Sequence, residues 1–281
     1  MIRSTYPRLL AVAIAILALV GCDEIGPQIN PTGGSGSGSV QARNILVEEF
    51  TGVRCVNCPA GSAELQSLID IHEGQVIGVS IHSGFFANPY PQSTIDFRTE
   101  DADQIFDLLG GVSAYPAAII NRQLFNGENE LALPLTKWAG YIAEELQEPS
   151  AVNLTVTPNY VVDSRQLTVD IDGVFNEAVP DDVNITAYLV ENNVVNAQYT
   201  PQTSNSAPDE NYVHKHVFRD AITNFSGDPI TEPKVVGGTF SKDITYTLPG
   251  DYVAENCTVV VFVHQSLDSK RVLQAVEVDV L

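Results

Sequence analysis

Basic residues are scarce in this chain. Fourteen Lys and Arg stand against 35 Asp and Glu, for a formal net charge of −21. Such a surface repels phosphate backbones and anionic head groups, which argues against nucleic acid as a partner. Long apolar runs are equally scarce: after the first 21 residues nothing approaches the ~20 apolar residues of a transmembrane helix. Cysteine is limited to Cys22, Cys55, Cys58 and Cys257. No second CxxC and no Cys/His cluster completes the four-ligand set of a structural zinc site. The residues therefore call for neither a metal nor a cofactor.

The N-terminus reads as an export signal. Arg3 and Arg8 precede an apolar run from Leu9 to Val20, too short to span a bilayer and ending in small residues. Leu19-Val20-Gly21-Cys22 matches a bacterial lipobox, in which Cys22 takes the lipid and becomes the new N-terminus. An ordinary signal peptide that happens to contain a Cys is the alternative. Cleavage before Cys22 removes two arginines and no acid, taking the charge from −21 to −23. The expected location is the cell envelope, lipid-anchored at the outer membrane and facing the periplasm or the surface.

Residues 22–42 form a Pro/Gly/Ser-rich tether that cannot build a core. About twenty such residues reach roughly 25 Å at ~5–6 Å × √n. From 43 to 148 strand and helix patterns alternate: a strand over Asn44–Phe50, a helix over Pro59–His72, a strand over Val76–His82, a helix over Asp101–Leu109, a strand over Ala117–Asn121, a turn at Asn126-Gly127 and a closing helix over Leu135–Leu146. This is an α/β domain with a mixed sheet. Pro149 breaks the pattern. From 150 to 281 only strand-like runs appear, among them Val183–Val190, Val213–Phe218 and Thr258–Gln265, which predicts an all-β sandwich of Ig-like or jelly-roll-like type.

Cys55-Val56-Asn57-Cys58 lies between a predicted strand and a predicted helix. The first Cys is expected to cap the helix, where free N–H groups and the dipole stabilise a thiolate. The second is one turn further on. In an oxidising compartment a close pair can form a disulfide. Structural staples use CxxC as well, so the spacing alone leaves the role open.

Two more residues give a resemblance to the thioredoxin superfamily: Glu49, six residues before Cys55, and Pro116 in Ser113-Ala114-Tyr115-Pro116-Ala117-Ala118. The resemblance implies a thioredoxin-like fold for 43–148. It implies a buried acid at Glu49 that relays a proton for Cys58, and a cis-proline at Pro116 packed against the CxxC. Alternation along the strand, by contrast, places one of Glu48 and Glu49 on the solvent side. In the implied mechanism Cys55 is the exposed nucleophile, Cys58 resolves the mixed disulfide, and Arg54 can support the thiolate. The chain departs from the superfamily pattern in lacking a Trp before Cys55 and in carrying Val-Asn between the cysteines.

The whole mature chain also resembles the outer membrane protein 28-related lipoproteins of Bacteroidetes-type bacteria. The residues are Cys55-Val56-Asn57-Cys58-Pro59, Tyr212-Val213-His214-Lys215-His216-Val217-Phe218-Arg219 and Val259-Val260-Val261-Phe262-Val263-His264. His214 and His216, two apart in a predicted strand, would share one face. Cys257 reads as a buried thiol, and Phe85–Tyr90 as either a groove wall or a packed connection. Two functions are carried forward. One is a thiol–disulfide oxidoreductase acting on exported proteins through Cys55, Cys58, Glu49 and Pro116. The other is a non-catalytic, adhesion-type surface module in which the Cys55–Cys58 disulfide is only a staple.

Overall fold

The computed structural model describes Met1 and residues 39–203, 207–266 and 269–281. The expected signal peptide (Met1 apart), the lipid site at Cys22 and the Gly/Ser run of the tether lie outside the described residues. The last tether residues are held by later ones. The backbone N–H of Gln41 donates to Asn153 Oδ1 at 2.8 Å, and its side-chain oxygen accepts from the Leu154 N–H at 2.8 Å.

Strands β1 (Ile45–Thr51) and β2 (Val76–His82) are buried at every position. They pair in parallel, from Ile45 opposite Val76 to Thr51 opposite His82. Parallel neighbours need a crossover, and α1 (Cys58–Ile71) supplies it, with Pro59 in its first turn where the missing N–H costs nothing. Helix α2 (Glu100–Leu108) starts at Thr99, whose hydroxyl accepts from the Ala102 N–H at 3.0 Å. Three acids occupy its first turn, where the helix dipole favours them. Strand β3 (Ala117–Ile120) runs antiparallel to β1, and β4 (Leu133–Pro134) pairs with β3. The closing helix is shorter than expected: Leu135–Lys137 is a 3-10 turn and only α3 (Trp138–Glu145) is α-helical.

Beyond Pro149 come β5 (Val152–Val161), β6 (Gln166–Phe175), β7 (Val183–Glu191), β8 (Val194–Gln198), β9 (Asp209–His214), β10 (Val217–Ala221), β11 (Asp228–Ile230), β12 (Thr239–Thr247), β13 (Cys257–Gln265) and β14 (Val272–Asp279). The strand expected over Val213–Phe218 is broken. β9 ends at His214, and His216 takes a left-handed conformation, φ 54°. Its N–H goes to the Asn192 side chain at 2.8 Å, and its carbonyl accepts from the Ser80 N–H at 2.7 Å. His214 and His216 therefore do not share a strand face.

That Ser80 contact joins β2 to β10, with Val217 opposite Ser80. One sheet runs β14-β13-β7-β10-β2-β1-β3-β4, with β11 paired to the first residues of β7 on the edge that β10 takes further along. Residues on both sides of Pro149 share it, and Ser39–Leu281 is one compact unit. The structure is mostly β.

Alternation distributes the side chains of this sheet. Val183, Ile185, Ala187 and Leu189 of β7 and Val259, Val261 and Val263 of β13 pack against the three-stranded antiparallel sheet β12-β6-β5. Their neighbours Tyr188, Val190, Val260 and Phe262 turn the other way. There they join Leu46 and Phe50 of β1, Ile77 and Val79 of β2, and Ala102 and Ile105 of α2. Ile45 and Val47 face a third core with Leu65 and Leu68 of α1 and Trp138 and Ile142 of α3. Strand β1 is thus covered on both faces, α1 and α3 on one and α2 on the other.

Candidate functional site

The two acids of β1 sit on these opposite faces, and both are 0% exposed. The expectation that one meets solvent fails because a helix covers each side. Glu48 is held by Arg122, whose NH2 lies 2.8 Å from Oε1 and whose Nε lies 2.9 Å from Oε2. The same guanidinium donates to the Tyr188 hydroxyl at 2.8 Å and lies 4.9 Å from the Phe262 ring centre. Burial by itself lowers the Arg122 pKa. The Glu48 carboxylate outweighs that, so the pKa ends above its ordinary value.

Glu49 meets no cation among the described residues. It accepts from Ser80 Oγ at 2.8 Å and from Ser62 Oγ at 3.3 Å. Burial pushes its pKa up to about 7, and the two hydroxyls only partly oppose the shift. A carboxyl in that state exchanges its proton near neutral pH.

The cysteines lie just beyond. Cys55 and Cys58 form a disulfide with Cα atoms 5.3 Å apart. Asn57 is the N-cap and Cys58 the first helical residue. Cys58, rather than Cys55, therefore stands at the free amides of α1. No acid occupies the first turn, so the positive end of the helix dipole is left uncompensated. The peptide bond between Tyr115 and Pro116 is cis. Gly61, one turn into α1, locks this proline to the acid: a Cβ there would stand 2.7 Å from Glu49 Oε1 and 2.7 Å from Pro116 Cβ. Glu49, Pro116 and the start of α1 thus meet at one point, and only glycine fits it.

Cys55 is 3% exposed and Cys58 1%. The exposure expected of Cys55 is thus not found. Its cover comes from the end of β8. Gln198 Nε2 donates to the Cys55 carbonyl at 3.1 Å, and the Tyr199 N–H donates to the Val53 carbonyl at 2.7 Å. Arg54 points elsewhere: it donates to the Asn88 and Pro89 carbonyls at 2.7 and 2.6 Å and lies 4.4 Å from the Tyr90 ring centre. It serves to pin the Phe85–Tyr90 loop, on which Phe85 is the aromatic that stands well out in solvent. Cys257 is buried and unpaired, its thiol pushed up to about 12 by burial, a state unsuited to nucleophilic attack.

A cavity of about 210 Å³ opens beside Cys58, lined also by Ser62, Ser80, His82, Tyr212 and His214. The rings of His82 and His214 are 5.7 Å apart, with Phe97 4.6 and 4.8 Å from them. Burial pulls both imidazoles below their ordinary pKa, His214 to about 4. His82 Nδ1 and His214 Nε2 are buried and have no partner among the described residues. No three His, Cys, Asp or Glu among the described residues are placed to hold a metal ion. The sequence places Tyr212–His214 in a β-strand motif without tying it to the cysteines, and it singles out neither Gln198 nor His82. Five residues of strand before a turn leave almost no periodicity to read, and His82 ends a strand without any motif around it.

The comparisons with known proteins reach the same architecture. HBP35 of Porphyromonas gingivalis is 20% identical with a TM-score of 0.68, over 86% of this chain and 76% of that one. Protein AGR_C_4864 from Agrobacterium tumefaciens is 16% identical with a TM-score of 0.52, over 86% and 97%. At these identities the likeness is one of fold. The chain folds as these proteins do. No curated protein matches it. The profile of the family Outer membrane protein Omp28 matches residues 103–280, and the chain belongs to that family. It is accordingly an outer-membrane lipoprotein. No helix among the described residues is long and apolar enough to cross a membrane. The matched stretch takes in Pro116, Gln198 and His214 but begins after Glu49, Cys55 and Cys58.

Proposed function

We propose that the chain is a thiol–disulfide oxidoreductase of the cell envelope, built on a thioredoxin-like β1-α1-β2 and β3-β4-α3 arrangement and held to the membrane by lipid on Cys22. One observation carries the reading: behind the Cys55–Cys58 disulfide, a buried, cation-free Glu49 and cis-Pro116 close on Gly61. A disulfide needed only as a staple has no use for a carboxyl poised near neutral pH. In the reduced protein Glu49 accepts the proton of Cys58; Ser62 and Ser80, which bond Glu49, also line the cavity beside Cys58. The thiolate so formed is the reactive species.

The test uses the full chain with Cys55 and Cys58 reduced, mixed with 2-hydroxyethyl disulfide. The pair should oxidise at least tenfold faster than in the urea-unfolded chain, and Cys55→Ser should halt disulfide formation. Equal rates in folded and unfolded chain would remove the enzyme reading. A second reading, the non-catalytic surface module, is favoured by one feature, the cover that Gln198 and Tyr199 place over Cys55. It predicts that the Cys55→Ser/Cys58→Ser variant loses about 2 kcal/mol of stability, the loop-closure value for so short a ring, and nothing else.

A further inference from the structure

The substrate class of this site can be argued from its cavity, and the argument rests on the oxidoreductase reading above. Cys55, the half of the pair expected to meet substrate, is covered by the β8 end. Both cysteines are almost fully buried, and of the two it is Cys58 that lines the cavity. At about 210 Å³ the space falls below the roughly 300–1,000 Å³ of clefts for drug-sized ligands. A few-carbon molecule fits there, and a polypeptide segment does not. Its walls offer hydrogen-bonding groups in want of partners, since His82 and His214 are almost fully buried and each keeps a ring nitrogen with no partner among the described residues. An unpartnered buried group is costly, and a ligand atom that satisfies it gains that cost back. At the mouth stands Lys215, the one charged side chain among the described residues that line the cavity, with Nζ 3.0 Å from Gln66 Oε1. In a chain of net charge −21 a lone cation at a cavity mouth selects an anion.

We propose that this cavity takes low-molecular-weight disulfides and thiols carrying a carboxylate, in place of exported proteins, and that Cys58 is the sulfur that meets them. In the oxidising direction the Cys58 thiolate attacks one sulfur of the small disulfide RSSR. The new Cys58–SR bond forms as the S–S bond of RSSR breaks, and the other half leaves as RS⁻ and takes up a proton. The Cys55 thiolate then attacks Cys58 Sγ, restores the Cys55–Cys58 bond and expels the second RS⁻. Two electrons pass from the dithiol to RSSR, giving two RSH. The unpaired imidazole nitrogens bind the polar part of R, and Lys215 receives its carboxylate.

The test follows oxidation of the reduced full chain by 3,3′-dithiodipropionate, cystamine and insulin. The dianionic probe should react at least tenfold faster than insulin. Ala63→Trp on α1 and Val213→Trp on β9 each plug the mouth from an exposed position, and each should slow the small probes at least tenfold. Lys215→Glu should lower the ratio of the dithiodipropionate rate to the cystamine rate at least tenfold. Insulin reacting as fast as dithiodipropionate, or both plugs and the charge reversal leaving these rates in place, would overturn the cavity proposal. If the chain nonetheless oxidises faster than its unfolded form with 2-hydroxyethyl disulfide, the oxidoreductase reading survives that loss. If it does not, both fall together.

Discussion

Glu48 and Glu49 are neighbours on one strand, equally buried, and opposite in consequence. On the α2 face Glu48 meets a guanidinium in a two-pronged pair and is locked among Tyr188 and Phe262. On the α1 face Glu49 meets only two serine hydroxyls, and burial lifts its pKa to about 7. A buried carboxylate with a cation is a structural joint, whereas one without a cation is held at the edge of protonation. The joint also has a place in the architecture, because Glu48 belongs to β1, Arg122 follows β3, and Tyr188 and Phe262 belong to β7 and β13. One ion pair ties the helix-covered end of the sheet to the end covered by the second sheet.

The contrast can be broken most forcefully at Arg122. Arg122→Met leaves Glu48 buried without its cation, with only the Tyr188 hydroxyl at 3.4 Å, and should cost about 3–5 kcal/mol in urea unfolding at pH 7. A loss below about 1 kcal/mol would show the pair to be dispensable. Glu49→Gln should do the opposite. The folded-state pKa of Glu49 lies above its unfolded value, so ionising it costs stability. The cost is absent below pH 4.5, grows as pH rises, and is complete above about pH 7. The variant should therefore match wild type at pH 4 and exceed it by about 3 kcal/mol at pH 8, a pH-dependent gap that urea midpoints will show. Gly61→Ala drives a methyl into Glu49 Oε1 and Pro116. It should cost about 2 kcal/mol by overpacking and slow thiol oxidation alongside, whereas a neutral substitution would mean the contact is slack.

The smallest effect belongs to a histidine of the cavity beside Cys58. His214 has a folded pKa of about 4, below its unfolded value. The unfolded chain gains its proton first as pH falls, so stability is lost below about pH 6.5. His214→Phe should remove about 1 kcal/mol of the loss seen between pH 6.5 and pH 5.5, read as a shallower acid limb in thermal unfolding.

Much of this arrangement was legible in the chain itself. Val76–His82 stands out as a buried strand, and the CxxC falls between strand and helix as expected. Pro116 is cis, as the resemblance implied. What escaped has common physical causes. Period-two alternation assumes one wet face, and β1 has none, so it misplaced one of the glutamates. The break after His214 is made by a left-handed His216 whose backbone is taken up by Asn192 and Ser80, contacts that no local window contains. The cover over Cys55 comes from Gln198, 143 positions along the chain. Local signals place a residue on an element; what lies across from it is decided by packing between distant strands.

The most direct test of the account is the pH dependence of Cys55/Cys58 oxidation by 2-hydroxyethyl disulfide, measured in the full chain and in Glu49→Gln. The wild-type rate should carry an inflection near pH 7 that the glutamine variant lacks. Superimposable profiles in the two proteins would contradict a proton-accepting role for Glu49 and, with it, the site proposed around it.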